Sequence, residues 1–287
     1  MFDFRYHALS LTAVFVALAL GLLLGVAIGD SGLVSSADRK LRNSLHADVR
    51  KANNRADAAQ RELDRAKTFE NQAYPLLTGD RLASRSLGLV FIGSPVKPVD
   101  SGVKDALRDT GGTLRSVAVI SEPLDLGELG NRAKGSRYEA LGVGATPDLQ
   151  LVEDFGFRLG AQYVAPGRLL GRSRSAVFDV FNGHLSPLGG VVVSYNPRDL
   201  DKVPAQVRDR FEQGFVAGIR ASGVPIVGVE TTSTNPSVIH WYKDRKISSV
   251  DNVDEVAGHA ALVFALLGAQ GTFGERQGAT LLPDFTP

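Results

Sequence analysis

Cysteine is absent from this 287-residue chain, methionine occurs once, as Met1, and tryptophan once, as Trp241. Without cysteine there is no disulfide framework, zinc ribbon or thiol catalysis, and either side of a membrane is compatible with the composition. Met1 is the one soft sulfur ligand, which excludes a Cu(I) site built from several thiolates and thioethers. Charge of one sign is not in surplus: the net charge is +1, so the electrostatic footprint of a nucleic-acid-binding protein is lacking. With 44% hydrophobic and 22% charged residues, the chain has the composition of a globular protein and not of a disordered one.

Two local absences organise the first quarter of the chain. No Asp, Glu, Lys or Arg lies between Arg5 and Asp30. At about 1.5 Å of rise per residue, the stretch Ala8 to Ile28 matches the roughly 30 Å hydrocarbon core of a bilayer, and no polar face interrupts it. Ser10 and Thr12 are tolerated in a spanning helix because their hydroxyls can return to the carbonyl one turn earlier. A cleaved secretory signal has an apolar core of about 7 to 15 residues behind a basic leader, and this core is longer. A retained anchor is the reading that fits. Gly21, Gly25 and Gly29 fall four apart and form a small-residue ridge suited to close helix pairing in lipid. Basic residues do not settle orientation: Arg5 precedes the span, and Arg39, Lys40 and Arg42 follow it at a distance.

From about Ser35 to Ala73 neither proline nor glycine occurs, which predicts one long helix after a break at Asp30-Ser31-Gly32. Its apolar positions Leu45, Val49, Ala52, Ala56, Ala59, Leu63 and Ala66 alternate in steps of four and three, an unbroken heptad seam. In that register Glu62 and Lys67 occupy g and e positions and attract one another between parallel chains. A parallel homodimer is therefore expected, against the alternative of a solitary helix, since alanines bury little surface. Glu70 ends the seam, and Tyr74-Pro75 is expected to close the helix.

Beyond Leu76 the text changes to short β-branched runs separated by amphipathic stretches, the pattern of an α/β unit. Strands are predicted at Leu87–Ile92, Leu114–Ile120, Val191–Tyr195 and Pro225–Val229, with a weaker one near Lys246–Val250. Helices are predicted at Val99–Arg108, Thr146–Leu159, Ser173–Phe181, Ala205–Ala221 and Glu255–Leu267. Runs such as LGLVFI and GVVVS are apolar on both faces, as buried parallel strands are. The expected organisation is a leader and transmembrane anchor at 1–29, a coiled-coil helix at 30–75 and a Rossmann-like, mostly parallel α/β domain at 76–287.

Chemistry is harder to find. Neither GxGxxG nor GxxxxGK[ST] occurs, and Gly142-Val143-Gly144 reads as turn glycines. Ser194 ends a strand without a GxSxG elbow, so Ser-Tyr-Asn-Pro reads as a strand running into a turn. The five histidines, His7, His46, His184, His240 and His259, form no HxxxH or HExxH. His240, beside the lone tryptophan, is the least easily assigned to structure. Asp251 and Asp254 lie at a strand-to-helix junction where Asn252 and Glu255 have capping-box spacing, and a hard-cation or partner contact competes with that structural role. His240, Asp251 and Asp254 are the metal candidates; no catalytic or cofactor-binding residue is assigned, and a non-enzymatic protein is expected.

The opening FDFRYHALSLTAVFVALALGLLLG and the closing SVDNVDEVAGHAALVFALLGAQGTFGERQGATLLP resemble the mycobacterial copper transport protein B (MctB) family, described in corynebacteria as the cell-separation protein SteB. The resemblance implies an actinobacterial-type envelope protein of the cell membrane, single-pass, with its N-terminus cytoplasmic and main domain extracytoplasmic. It implies copper efflux, with copper as a transported or sensed ion and no resident cofactor, or else a scaffold for cell-wall or division proteins in cell separation. No ligand set comes with it.

Overall fold

The computed structural model describes residues 4–30 and 33–283. The chain divides into two compact units, Met1–Lys67 and Thr68–Pro287. Helix α1 covers Phe4–Asp30, and every side chain of its 24-residue apolar stretch, Arg5–Ile28, is exposed in the single chain. Thr12 returns its hydroxyl to the Ala8 carbonyl at 2.8 Å, which satisfies that polar side chain within the run. Ser31 and Gly32 of the expected break lie outside the described residues.

Helix α2 runs over Leu33–Thr78. The expected stop at Tyr74-Pro75 is corrected: Pro75 sits inside the last turns, and the helix closes at Gly79, whose N–H reaches the Pro75 carbonyl at 2.9 Å. A proline removes a single amide donor, and here tertiary contacts offset that loss. The Tyr74 hydroxyl donates to the Ala106 carbonyl at 2.6 Å, its ring meets His259 edge-on at 6.0 Å, and Thr78 caps the Tyr74 carbonyl at 2.8 Å.

The second unit is a seven-stranded sheet between helices. Its strands are β1 (Ser86–Gly93), β2 (Thr113–Ile120), β3 (Phe178–Gly183), β4 (Gly190–Asn196), β5 (Ile226–Val229), β6 (Ser248–Val250) and β7 (Thr272–Phe273). They lie in the order β3-β2-β1-β4-β5-β6-β7, all parallel except β3, which runs antiparallel to β2. Alternate residues of β1 enter opposite cores. Val90 and Ile92 join the cluster under α5 (Leu149–Val164) and α7 (Lys202–Ala221), while Leu89 and Phe91 join the one under α3 (Lys97–Ala106) and α9 (Val256–Leu267). Both faces are thereby buried, which is why these strands read as continuous apolar runs.

The expected helix Ser173–Phe181 is also corrected. Helix α6 ends at Val177 (Arg168–Val177), and Phe178 begins β3. Pairing along the edge of β2, with Val180 opposite Val119 and Phe181 opposite Ala118, holds these residues extended and outweighs helix propagation, the register shifting between Val119 and Ile120. Helix α4 (Leu126–Arg132), the 3-10 turn Arg137–Gly142 and helix α8 (Ile239–Asp244) complete the unit.

Helices α5 and α7 approach through a reciprocal pair of glycine steps. A Cβ at Gly156 or Gly160 would lie 2.3 or 2.0 Å from the Phe211 or Phe215 carbonyl oxygen. One at Gly214 or Gly218 would lie 1.9 or 2.0 Å from the Glu153 or Phe157 oxygen. Backbone therefore packs on backbone, and a methyl group at any of the four positions forces the helices apart.

Candidate functional site

Strand order reverses between β1 and β4, and in open α/β sheets ligand crevices form outside the carboxyl ends of the strands at such a point. The chain opens a cavity of about 460 Å³ there, bounded by Val96 and Val99, by residues 194–197 at the end of β4, and by residues 229–240 after β5. Tyr242 helps to open it. Its hydroxyl accepts from the Tyr195 amide at 3.0 Å and donates to the Val229 carbonyl at 2.8 Å, standing between β4 and β5 where their direct pairing ends. Gly228 admits the Tyr242 ring, which lies 2.3 Å from where its Cβ would be. Ser194 is buried on this wall, and no nucleophile-elbow motif surrounds it in the sequence.

The loop Thr231–Ser237 forms the outer wall and is tied from several sides. Glu230, 2% exposed, accepts from the Ser237 hydroxyl and the Val238 amide, each at 2.7 Å, and pairs with Arg276 at 2.6 Å. Arg276 also donates to the Thr234 carbonyl at 2.6 Å. Asp254 accepts from the Thr232 amide at 2.9 Å and its hydroxyl at 2.7 Å.

These bonds account for the predicted metal candidates. Asp254 is engaged with Thr232. Asp251, 1% exposed, accepts from the Glu275 and Arg276 amides at 2.8 and 3.1 Å, and so fastens the segment after β7. His240 is exposed on α8 at the crevice rim. Among the described residues, no group of three or more His, Asp or Glu side chains is placed to hold a metal ion. The capping-box reading is corrected as well: Glu255 is the N-cap of α9, and Asn252 is fully buried beneath Gly258.

A second polar cluster, not anticipated from sequence, lies behind the Tyr195 wall. Glu212 of α7 is fully buried, with neither carboxylate oxygen hydrogen-bonded, and its Oε1 is 3.6 Å from Arg208 Nε. Glu122, 5% exposed, accepts from the Arg198 amide at 2.9 Å and leaves Oε1 unpaired. Tyr195 stacks on Trp241 at 4.1 Å, and the Arg245 guanidinium lies over the Trp241 ring at 3.7 Å. Burial raises the Glu212 carboxyl well above the ordinary carboxylate range, and the neighbouring Glu122 adds to that shift while Arg208 and Arg245 oppose it. Glu122 is raised chiefly by burial too, and the Tyr195 hydroxyl is pushed up to about 12 for the same reason. The only sequence signal was an acid in the apolar phase of a helix, Phe211-Glu212 before Phe215.

In the first unit, Gly21 and Gly25 have open space where a Cβ would be, and Gly29 lies in α1. The seam residues of α2 are all exposed in the single chain, among them Leu45 at 61% and Val49 at 50%.

Among the described residues the chain thus combines one candidate membrane span, a long polar helix and an α/β unit with a polar crevice at its strand-order reversal. Residues 1–139 match the family model described as "Copper transport outer membrane protein, MctB". Relatives named copper transporter MctB, from Mycobacterium bovis and Mycobacterium tuberculosis, are 25% identical over 97% of this chain and 98% of their own length. The resemblance carried by the two ends of the sequence is borne out: this chain is similar to MctB from end to end.

Proposed function

We propose that this chain is a membrane-anchored envelope protein of copper homeostasis, related to MctB and acting without catalysis. The observation that carries the reading is the similarity to proteins named copper transporters over nearly the whole length of both partners, together with the single apolar helix at the N-terminus. In it α1 anchors the chain with its N-terminus in the cytoplasm, the Gly21, Gly25 and Gly29 ridge and the α2 seam pair two copies in parallel as a coiled coil, and a Rossmann-like domain stands outside the membrane. Copper handling is indirect. One span per chain does not enclose an aqueous path, and the described strands form an open sheet with both faces covered. The direct alternative is a Cu(II) contact through His240, which is exposed at the crevice rim.

Deletion of the gene should make cells copper-sensitive, with wild-type and His240→Ala chains restoring growth equally. Restoration lost with His240→Ala would replace the indirect role by direct binding. Chained or branched cells with unaltered copper tolerance would favour a second reading, a coiled-coil scaffold for cell-wall or division proteins. Reporter fusions after Ala73 test the topology, and a cytoplasmic domain would overturn both readings.

A further inference from the structure

The geometry points to the crevice outside β1, β4 and β5 as a binding site for an uncharged, hydroxyl-rich ligand, a mono- or disaccharide in chemical class. Its place at the strand-order reversal is where open α/β sheets bind ligands, and its volume of about 460 Å³ lies in the range of small-molecule pockets. The lining selects the chemistry. No described Lys or Arg lines it, so a phosphate or carboxylate would meet only the His240 imidazole at the rim. The one acid in the wall, Glu230, is 2% exposed and already engaged by Ser237, Val238 and Arg276, so a cation finds no available carboxylate. What remains along the lining is hydroxyl, amide and imidazole groups, among them Ser194, Asn235, the His240 ring and the Ser233 and Thr234 hydroxyls, which also bond Thr231, set beside the apolar surfaces of Val96 and Pro236. That mixture matches a sugar, whose ring carries hydroxyls at its edge and C–H groups on its faces. An extended peptide fits less well, because β1, β4 and β5 are interior strands with no free edge for it to pair with.

The loop is also held more firmly than a connector requires. Glu230, Arg276 and Asp254 fix residues 232, 234, 237 and 238 from three different segments, while the Ser233 and Asn235 side chains stay exposed. A backbone immobilised in advance with its polar tips presented to a cavity lowers the ordering cost of binding.

The wall residue Tyr195 stacks on Trp241, the chain's only tryptophan, so occupancy of the crevice can be read by intrinsic fluorescence. The full-length protein in detergent micelles is titrated with N,N′-diacetylchitobiose as the neutral probe, with pyrophosphate and Cu(II) in parallel, and saturation-transfer NMR confirms contact with the sugar. Saturable binding of the neutral probe is expected, weakened about tenfold by combining Ser233→Ala with Asn235→Ala, which removes one to two hydrogen bonds from exposed positions. The absence of saturable binding overturns the proposal. So does unchanged affinity in the double variant, or tighter and equally variant-sensitive binding of pyrophosphate or Cu(II). Because the probe is not a copper ligand, its failure leaves the proposed role in copper homeostasis to its own test.

Discussion

Glu212→Gln isolates the buried acid of α7. In the wild type the carboxyl is surrounded by Arg208 and Asp209 of its own helix, Arg245 just after α8, Tyr195 of β4 and Glu122 after β2, and burial is the largest influence on it. A carboxyl raised in the folded state binds its proton more tightly there than in the unfolded chain. Its stabilising contribution is complete below the unfolded value of about 4.3 and declines as pH rises toward the folded value. Within that window each pH unit removes up to about 1.4 kcal/mol from the wild type, and Glu122, shifted in the same direction, steepens the decline. Glutamine has nearly the shape of the protonated acid and does not titrate, so the variant should lose this part of the slope and gain on the wild type as pH increases. Urea denaturation of the full chain in detergent from pH 5 to 8, followed by Trp241 fluorescence, reads the unit that contains the cluster. If Glu212 were instead a buried anion paired with Arg208, the substitution would break that pair, leave Arg208 only its exposed partner Asp209, and cost about 3–5 kcal/mol at neutral pH. A loss of that size, or parallel pH profiles for the two proteins, refutes the reasoning.

Three further outcomes follow from the packing. Gly160→Ala should destabilise the α/β unit by at least about 1–3 kcal/mol, because its methyl group meets the Phe215 carbonyl, while Gly171→Ala, on an exposed turn of α6 with open space around it, should be neutral or gain about 0.5–1 kcal/mol. Paired thermal melts compare them directly. Asp251→Asn turns an amide group toward the Glu275 or Arg276 N–H and should cost about 1–3 kcal/mol, with faster proteolysis after Arg276 as the local readout. Val49→Cys, the only thiol in such a chain, should form a disulfide-linked dimer in membranes under mild oxidation, and a monomer at every oxidant level would remove the parallel coil.

The sequence alone determined what depends on local pattern. An uncharged run as long as a bilayer is thick, a long polar run without proline or glycine, and strands apolar on both faces are written in consecutive residues, and β1, β2, β4 and β5 appear within about a residue of where the pattern places them. Pairing partners and burial are not local, and there the tertiary structure decided. Pro75 stays helical because Tyr74 is bonded to Ala106, 32 residues away; Phe178 is a strand because β2 has a free edge; Gly156 and Gly160 matter only because Gly214 and Gly218 face them. The candidate site divides in the same way. His240, Asp251 and Asp254 were visible as residue types, but whether a carboxylate is available to a ligand depends on which amides reach it first. Backbone N–H groups from residues 275 and 276 take Asp251, and Thr232 takes Asp254, so these acids hold the loops around the crevice in place.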